Sequence, residues 1–211
     1  MTERRPWGSL ERAQIVGAAL EIARAEGIEG LSIRRVATEV GASRMALYRH
    51  VPDKEALLDL VANEIAAKQV IPDEALSGPW EERLRRLAHG MRREARAYPG
   101  FAERLMTRGN AGPGGLRIAE TIADILAAAG LAPDAAARFY LIFVDLVIGR
   151  AHREEHGDPT TPSRNAELFA AAERDGARLK ALLPSLRAVT GDELFDAELD
   201  MVVTAIRATA R

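Results

Sequence analysis

Apolar residues recur along this chain at three- and four-residue intervals, and no stretch alternates like a half-buried strand, so the pattern predicts an all-α protein. Beyond Ser9, Val16, Ala19, Leu20 and Ala23 fall at i, i+3, i+4 and i+7, and Gly27 closes that helix. A second stripe, Ile33, Val36, Ala37 and Val40, begins after Ser32, whose side chain can cap the first turn, and stops at Gly41. Ser43 can cap a short third helix, Arg44 to His50, with Leu47 and Val51 turned inward. Pro52 then breaks the chain and Asp53 can cap a fourth helix. Further on, Pro79 with Glu81 and Glu82 starts a helix reaching about Tyr98, and a short one spans Phe101 to Thr107. After GNAGPGG, residues 109–115, another runs to Gly130, and Pro133 starts a long one ending near Gly157. In the last helix, Phe195, Leu199, Val202 and Ile206 align along one side.

The stretch from Gly27 to Leu58 carries the most chemistry. Its third helix is too short to stand alone and keeps most side chains outside. An α-helix fits the major groove of DNA, where an Arg can donate two bonds to a guanine edge and flanking donors on phosphate set the register. Lys54 stands beside a helix start whose amides and dipole favour phosphate. A bare helix-glycine-helix pattern describes an ordinary pair of surface helices equally well.

The residues LERAQIVGAALEIARAEGIEGLSIRRVA, the turn VGAS and ALYRHVPDKEALL go further, because together they resemble the TetR family of transcriptional repressors from Leu10 to about Ile65. That resemblance implies an N-terminal three-helix helix-turn-helix DNA-binding domain, residues 1–67, and a C-terminal all-helical regulatory and dimerisation domain, residues 68–211. It implies that Arg34 contacts a base from the second helix and that Arg44, Met45 and Ala46 face base edges. Ser43, Tyr48, His50 and Lys54 are implied on phosphates, and Arg49 on a phosphate or a base. Met45 and Ala46 offer only apolar contact, such as to a thymine methyl. Arg4 and Arg5 could form a phosphate-touching arm, although a solvated terminus is the simpler reading.

Composition changes this picture little. The chain has 211 residues, 47% hydrophobic and 28% charged, which is ordinary globular material. Without cysteine there is neither a disulfide framework nor a thiol nucleophile. The start MTERRPWG lacks the apolar segment of a secretory signal, and the run Phe139 to Val144 falls far short of the roughly 18 residues of a membrane span. A cytoplasmic protein without membrane contact is expected. The net charge of −2 argues against a general nucleic-acid coat, but from Arg34 to Lys54 five Lys and Arg stand against two Asp and Glu. So local a charge favours a site-specific reader doubled in a dimer.

The long helix is apolar on every side through Phe139, Tyr140, Leu141, Ile142, Phe143, Val144, Leu146, Val147 and Ile148, and such a helix must be covered all round. One face is expected to line a core or cavity and another to meet a second subunit. A homodimer through the helices containing residues 134–156 and 192–208 would form a four-helix bundle. From Pro79 onward the chain resembles the tetracycline-repressor branch more loosely. Leu105 and Met106 stand where its tetracycline-binding members have a histidine, which argues against that drug.

An unknown inducer would meet His89, Met91, Phe101, Leu105, Met106, Tyr140, Phe143, Val144 and Val147, with Arg104, Arg117 or Asp145 as polar anchors. That set points to an apolar small molecule, aromatic or anionic. GNAGPGG could absorb the accompanying helix movement.

The competing reading is a zinc hydrolase. His152-Arg153-Glu154-Glu155-His156 has the H-x-x-E-H form, with both imidazoles on one helix face. The motif lies at a charged helix end with no third-ligand motif downstream, and neither a G-x-S-x-G elbow nor a Walker loop is present. The expectation is therefore a non-enzymatic, DNA-binding repressor released from a palindromic operator by a small molecule, with no catalytic residue, cofactor or metal.

Overall fold

The computed structural model describes residues 10–68, 70–71 and 77–210, and within them every regular element is a helix. The N-terminal part comprises α1 (Arg12–Glu26), a 3-10 turn (Ile28–Gly30), α2 (Ile33–Glu39), α3 (Arg44–Tyr48) and α4 (Lys54–Lys68). The remainder comprises α5 (Trp80–Ala97), α6 (Phe101–Arg108), α7 (Pro113–Ala128), α8 (Pro133–His156), α9 (Pro162–Asp175), α10 (Ala177–Ala188) and α11 (Gly191–Thr209). Ser9, Arg4 and Arg5 lie outside the described residues.

Local chemistry sets the boundaries of the first helices. Ser32 Oγ accepts from Arg35 N at 3.1 Å, Ser43 Oγ from Ala46 N at 3.1 Å, and Asp53 Oδ1 from Ala56 N at 2.8 Å. Each bond satisfies an amide that the helix itself leaves unpaired. Gly41 turns the chain between α2 and α3 at φ +66°, a conformation that costs a residue with a β-carbon. The α1 cap is Glu11, in a reciprocal box with Gln14. Its buried face is centred slightly round from the expected stripe, with Ile15 and Ile22 joining Val16, Ala19 and Ala23 while Leu20 is half-buried. Against it pack Val36, Leu47, Val51, Leu57 and Val61. The third helix is shorter than its pattern suggests: it ends at Tyr48, and His50 N and Val51 N both donate to Leu47 O at 2.9 Å.

Two joints fasten this head to the rest. In one, Ile28 N donates to Pro99 O at 2.9 Å and Arg24 donates to the Tyr98 hydroxyl at 2.8 Å. In the other, α4 lies against α7. Gly114 N donates to Asn63 Oδ1 at 2.6 Å, Asn110 Nδ2 to Ala62 O at 3.0 Å, and Arg117 to Ala67 O at 2.9 Å. GNAGPGG is therefore no slack connection: its second half opens α7, and its asparagine is bonded to α4.

The helices α5, α8 and α11 are tied by a buried ionic knot. Arg150, wholly buried, pairs with Glu154 at 3.1 Å and Asp158 at 3.0 Å and donates to Gly191 O at 3.0 Å. Arg92 pairs with the same Glu154 at 2.6 Å and with Asp192 at 2.7 Å. Burial works against an ionised Asp158, yet hydrogen bonds from Thr160 and the nearby Arg150 charge hold its carboxyl below its ordinary range. The Arg92 bond and charge do the same for Asp192.

The last helix is covered differently from the expectation of a stripe shared with a second copy. The α11 stripe Phe195, Leu199, Val202 and Ile206 is buried within its own chain, because α11 closes over α5 and α8. The outward side of α11 instead carries Met201, 71% exposed. The polar segment after Gly157 is followed by two helices, α9 and α10, that expose Leu168, Leu182 and Leu186.

Candidate nucleic-acid interface and internal cavity

The exposed surface of α2, α3 and the following turn follows from how little of α3 is needed for packing. Leu47 and Val51 are buried, Ala46 is half-buried, and Ser43, Arg44, Met45, Tyr48, Arg49 and His50 face solvent. Met45 is 74% exposed, a large apolar side chain left mostly uncovered by the described residues. Arg34 is exposed on α2, whereas its neighbour Arg35 is held by Glu26 at 2.9 Å and Glu39 at 2.6 Å. Arg35 is thus committed within the chain, and a bare count of cations overstates the local positive charge. Lys54 is exposed at the start of α4, where its ammonium donates to Glu29 O at 3.3 Å.

Helices α4 to α8 surround an open-sided cavity of about 510 Å³. Of the residues expected at an inducer, Met91, Phe101, Leu105, Met106, Tyr140, Val144 and Asp145 line it. His89, Phe143, Val147, Arg104 and Arg117 do not. His89 sits on the other side of α5, 3.0 Å from Asp196 and edge-on to Phe195. Phe143 and Val147 are consumed by the core. Arg104 is buried against Glu55 and Asp59 of α4, and Arg117 holds the α4 carbonyl described above. Both arginines serve the joint to the head. Ile118, Ile122 and Asn110 line the cavity without having been expected. Ile118 and Ile122 follow one another on the inner face of α7, so helical spacing was the signal for them.

The lining is chiefly apolar, with Asn110, Tyr140 and Asp145 as its polar members, and among the described residues it contains no Lys, Arg or His. Leu141, 68% exposed, and Asp145 sit at its rim on the outward side of α8.

Residues 15–61 match the family model for bacterial regulatory proteins of the tetR family, and residues 72–210 match the model for the tetracyclin repressor-like C-terminal domain. The chain belongs to the TetR family. As a TetR-family member it is a helix-turn-helix transcription regulator, and the all-α architecture expected from its apolar spacing is borne out. It is similar to an HTH-type transcriptional regulator of Saccharopolyspora erythraea, 33% identical over 95% of this chain and 86% of that protein. It is also similar to the repressor DrrR1 of Streptomyces coeruleorubidus, 30% identical over 80% of this chain and 63% of that repressor. Among solved structures, apo ActR of Streptomyces coelicolor superposes with a TM-score of 0.81 at 25% identity, covering 97% of this chain and 98% of that one. ActR in complex with actinorhodin gives 0.80 at 25% identity, over 96% and 98%. No helix among the described residues is long and apolar enough to cross a membrane.

Proposed function

We propose that this TetR-family regulator is a cytoplasmic, homodimeric repressor whose heads, residues 1–67, read two half-sites of a palindromic operator. Residues 68–211 join the copies and carry an inducer cavity. The observation that supports the reading head best is the division of labour within α3: Leu47 is buried while Arg44, Met45 and Tyr48 are presented to solvent. On this reading Arg34, Arg44, Met45 and Ala46 face bases, Ser43, Tyr48, His50 and Lys54 bind phosphates, and Arg49 takes either role.

Dimerisation rests on what α8 and α11 leave uncovered. Leu141, Ile142 and Met201 are exposed, and a second copy would remove them from water. Burying a large apolar side chain is worth about 1.5–3 kcal/mol, so each copy of this set gives a reason to pair.

The inducer is an apolar molecule that brings hydrogen-bond donors to Asp145 and Asn110. The anionic alternative loses its expected partners, because Arg104 and Arg117 are engaged at the joint with α4 and do not line the cavity. A ligand that binds one arrangement of the joints better than the other shifts the population by that difference in affinity. ActR, whose fold this chain shares, has been solved with actinorhodin, which is consistent with a cavity for a small organic molecule.

Hydrolysis is not the activity of H-x-x-E-H here. Glu155 Oε1 accepts from Gly100 N at 2.7 Å and Glu154 is held by Arg92 and Arg150, so neither carboxylate is placed to act as a general base. Gel shifts on genomic fragments selected by the purified protein test the repressor reading. Arg34→Ala should weaken binding and relax base preference, and Tyr48→Ala should weaken it uniformly. Unchanged binding in both variants would reject those roles.

A further inference from the structure

The H-x-x-E-H histidines have a third partner upstream. Glu103, in the first turn of α6, brings its carboxylate to the end of α8, so that donor atoms of Glu103, His152 and His156 all lie within 4.8 Å of one another. The imidazoles stack at 4.3 Å with 17° between their planes, as residues one helical turn apart do when both project from the same face. His156 Nδ1 lies 2.9 Å from His152 O. A carbonyl can only accept, so Nδ1 carries a proton, and in the neutral ring Nε2 keeps its lone pair. That lone pair is 3.9 Å from Glu103 Oε2. An imidazole oriented by a backbone carbonyl on one nitrogen and free on the other has the arrangement of a metal ligand.

We propose that Glu103, His152 and His156 bind a borderline divalent cation, zinc foremost, and thereby fasten the start of α6 to the end of α8. Two imidazoles and a carboxylate are the donor set that zinc takes at about 2.0–2.2 Å, with a fourth position open to water. Two ligands at that distance are about 3.3–3.6 Å apart in a tetrahedron, so the 3.9 Å Glu103–His156 separation closes by about 0.3–0.6 Å, and any pair near the 4.8 Å limit of the set by about 1.2–1.5 Å, within reach of side-chain rotation. His156 and Glu103 are roughly half-exposed, which leaves both side chains free to make that adjustment and the site open to ions from solvent. The neighbouring backbone is already fixed, since Gly100 N donates to Glu155 between the two histidines. The cation thus has no general base beside it and acts as a clamp. Its position has a consequence for the head, because the same turn contributes Pro99 O to the bond with Ile28 N.

The chain suits a direct test, for it has no cysteine and only four histidines, the other two being His50 and His89. Untagged full-length protein is titrated with zinc against a competing chromophoric chelator. One zinc per chain at micromolar concentration is expected. Affinity should fall by at least about 10-fold in His152→Ala, His156→Ala and Glu103→Gln, a loss of the size known for disturbed metal sites, and be kept in the His50→Ala/His89→Ala double variant. Zinc should raise the melting temperature of the wild type and not of the three site variants, and circular dichroism checks that each variant is folded. Wild-type protein that takes up no zinc, or uptake lost with His50 and His89 and kept without His152 and His156, would overturn the assignment.

Discussion

Head and body approach each other closely at Gly114, and Gly114→Ala tests whether the α4–α7 joint governs both stability and DNA binding. A β-carbon there would lie 2.2 Å from Asn63 O and 2.8 Å from Ala67 N. Both are backbone atoms of α4, so no side-chain rotation can relieve the clash, and one helix must move away from the other. That movement also stretches the 2.6 Å bond from Gly114 N to Asn63. Overpacking costs about 1–3 kcal/mol and a lost hydrogen bond about 0.5–1.5 kcal/mol, against a gain of less than about 1 kcal/mol from replacing glycine near a helix start. The net is about 1–3 kcal/mol, which in a chain of this size lowers the melting temperature by about 3–10 °C.

Gly17→Ala is the matched control, because Gly17 lies exposed within α1 and its β-carbon would meet nothing within 4 Å. It should gain about 0.5–1 kcal/mol, or about 1–4 °C. Calorimetry gives the two melting temperatures, and fluorescence anisotropy on a selected operator gives affinity, which should drop several-fold in Gly114→Ala and stay unchanged in Gly17→Ala. If Gly114→Ala melts and binds like the wild type, the joint does not hold the head as described.

The other predictions concern the outward face, the ionic knot and the cavity. Leu141→Glu with Met201→Glu puts charge on the uncovered sides of α8 and α11 and should convert the dimer to monomers in sedimentation velocity; a dimer of wild-type strength would move the interface elsewhere. Arg150→Ala leaves Asp158 buried without its closest cation and Glu154 with Arg92 alone in close contact, and should destabilise by about 3–5 kcal/mol in urea unfolding; a loss below about 1 kcal/mol would show that the knot adds little. The folded Asp158 carboxyl titrates below its unfolded value of about 3.9, so its contribution is complete above that pH and is lost as pH falls toward the folded value. Asp158→Asn should therefore flatten the acid limb of a stability–pH curve, and an identical limb would refute the assignment. Leu105→Trp fills the cavity and should leave operator binding intact while abolishing release by whatever apolar compound releases the wild type; normal release would place the inducer outside this cavity.

The head was legible in the sequence because its signals are local. Ser32, Ser43 and Asp53 cap the helices they precede, and Gly27 and Gly41 occupy turns of positive φ at the ends of α1 and α2. The length of α8 was legible too, since Pro133 opens it and Gly157 ends it. Legibility failed where the answer depends on a distant partner. A stripe such as Phe195, Leu199, Val202 and Ile206 looks the same whether its own chain or a second copy covers it. Arg104 and Arg117 could equally have faced a ligand, and only folding brings Glu55, Asp59 and Ala67 to them. Glu103 met the α8 histidines for the same reason, from a helix upstream where the motif gives no hint. The α9–α10 pair was hidden by its own chemistry: a polar, proline-containing lead-in and Pro184 within α10 weaken any helical pattern.

Footprinting of the purified protein on a selected genomic fragment puts the central claim at greatest risk. Two copies reading one palindrome should protect two half-sites whose centres lie one helical turn apart, about 34–36 Å, or a multiple of that. A single protected patch, or no preference over random duplexes at moderate salt, would contradict the account.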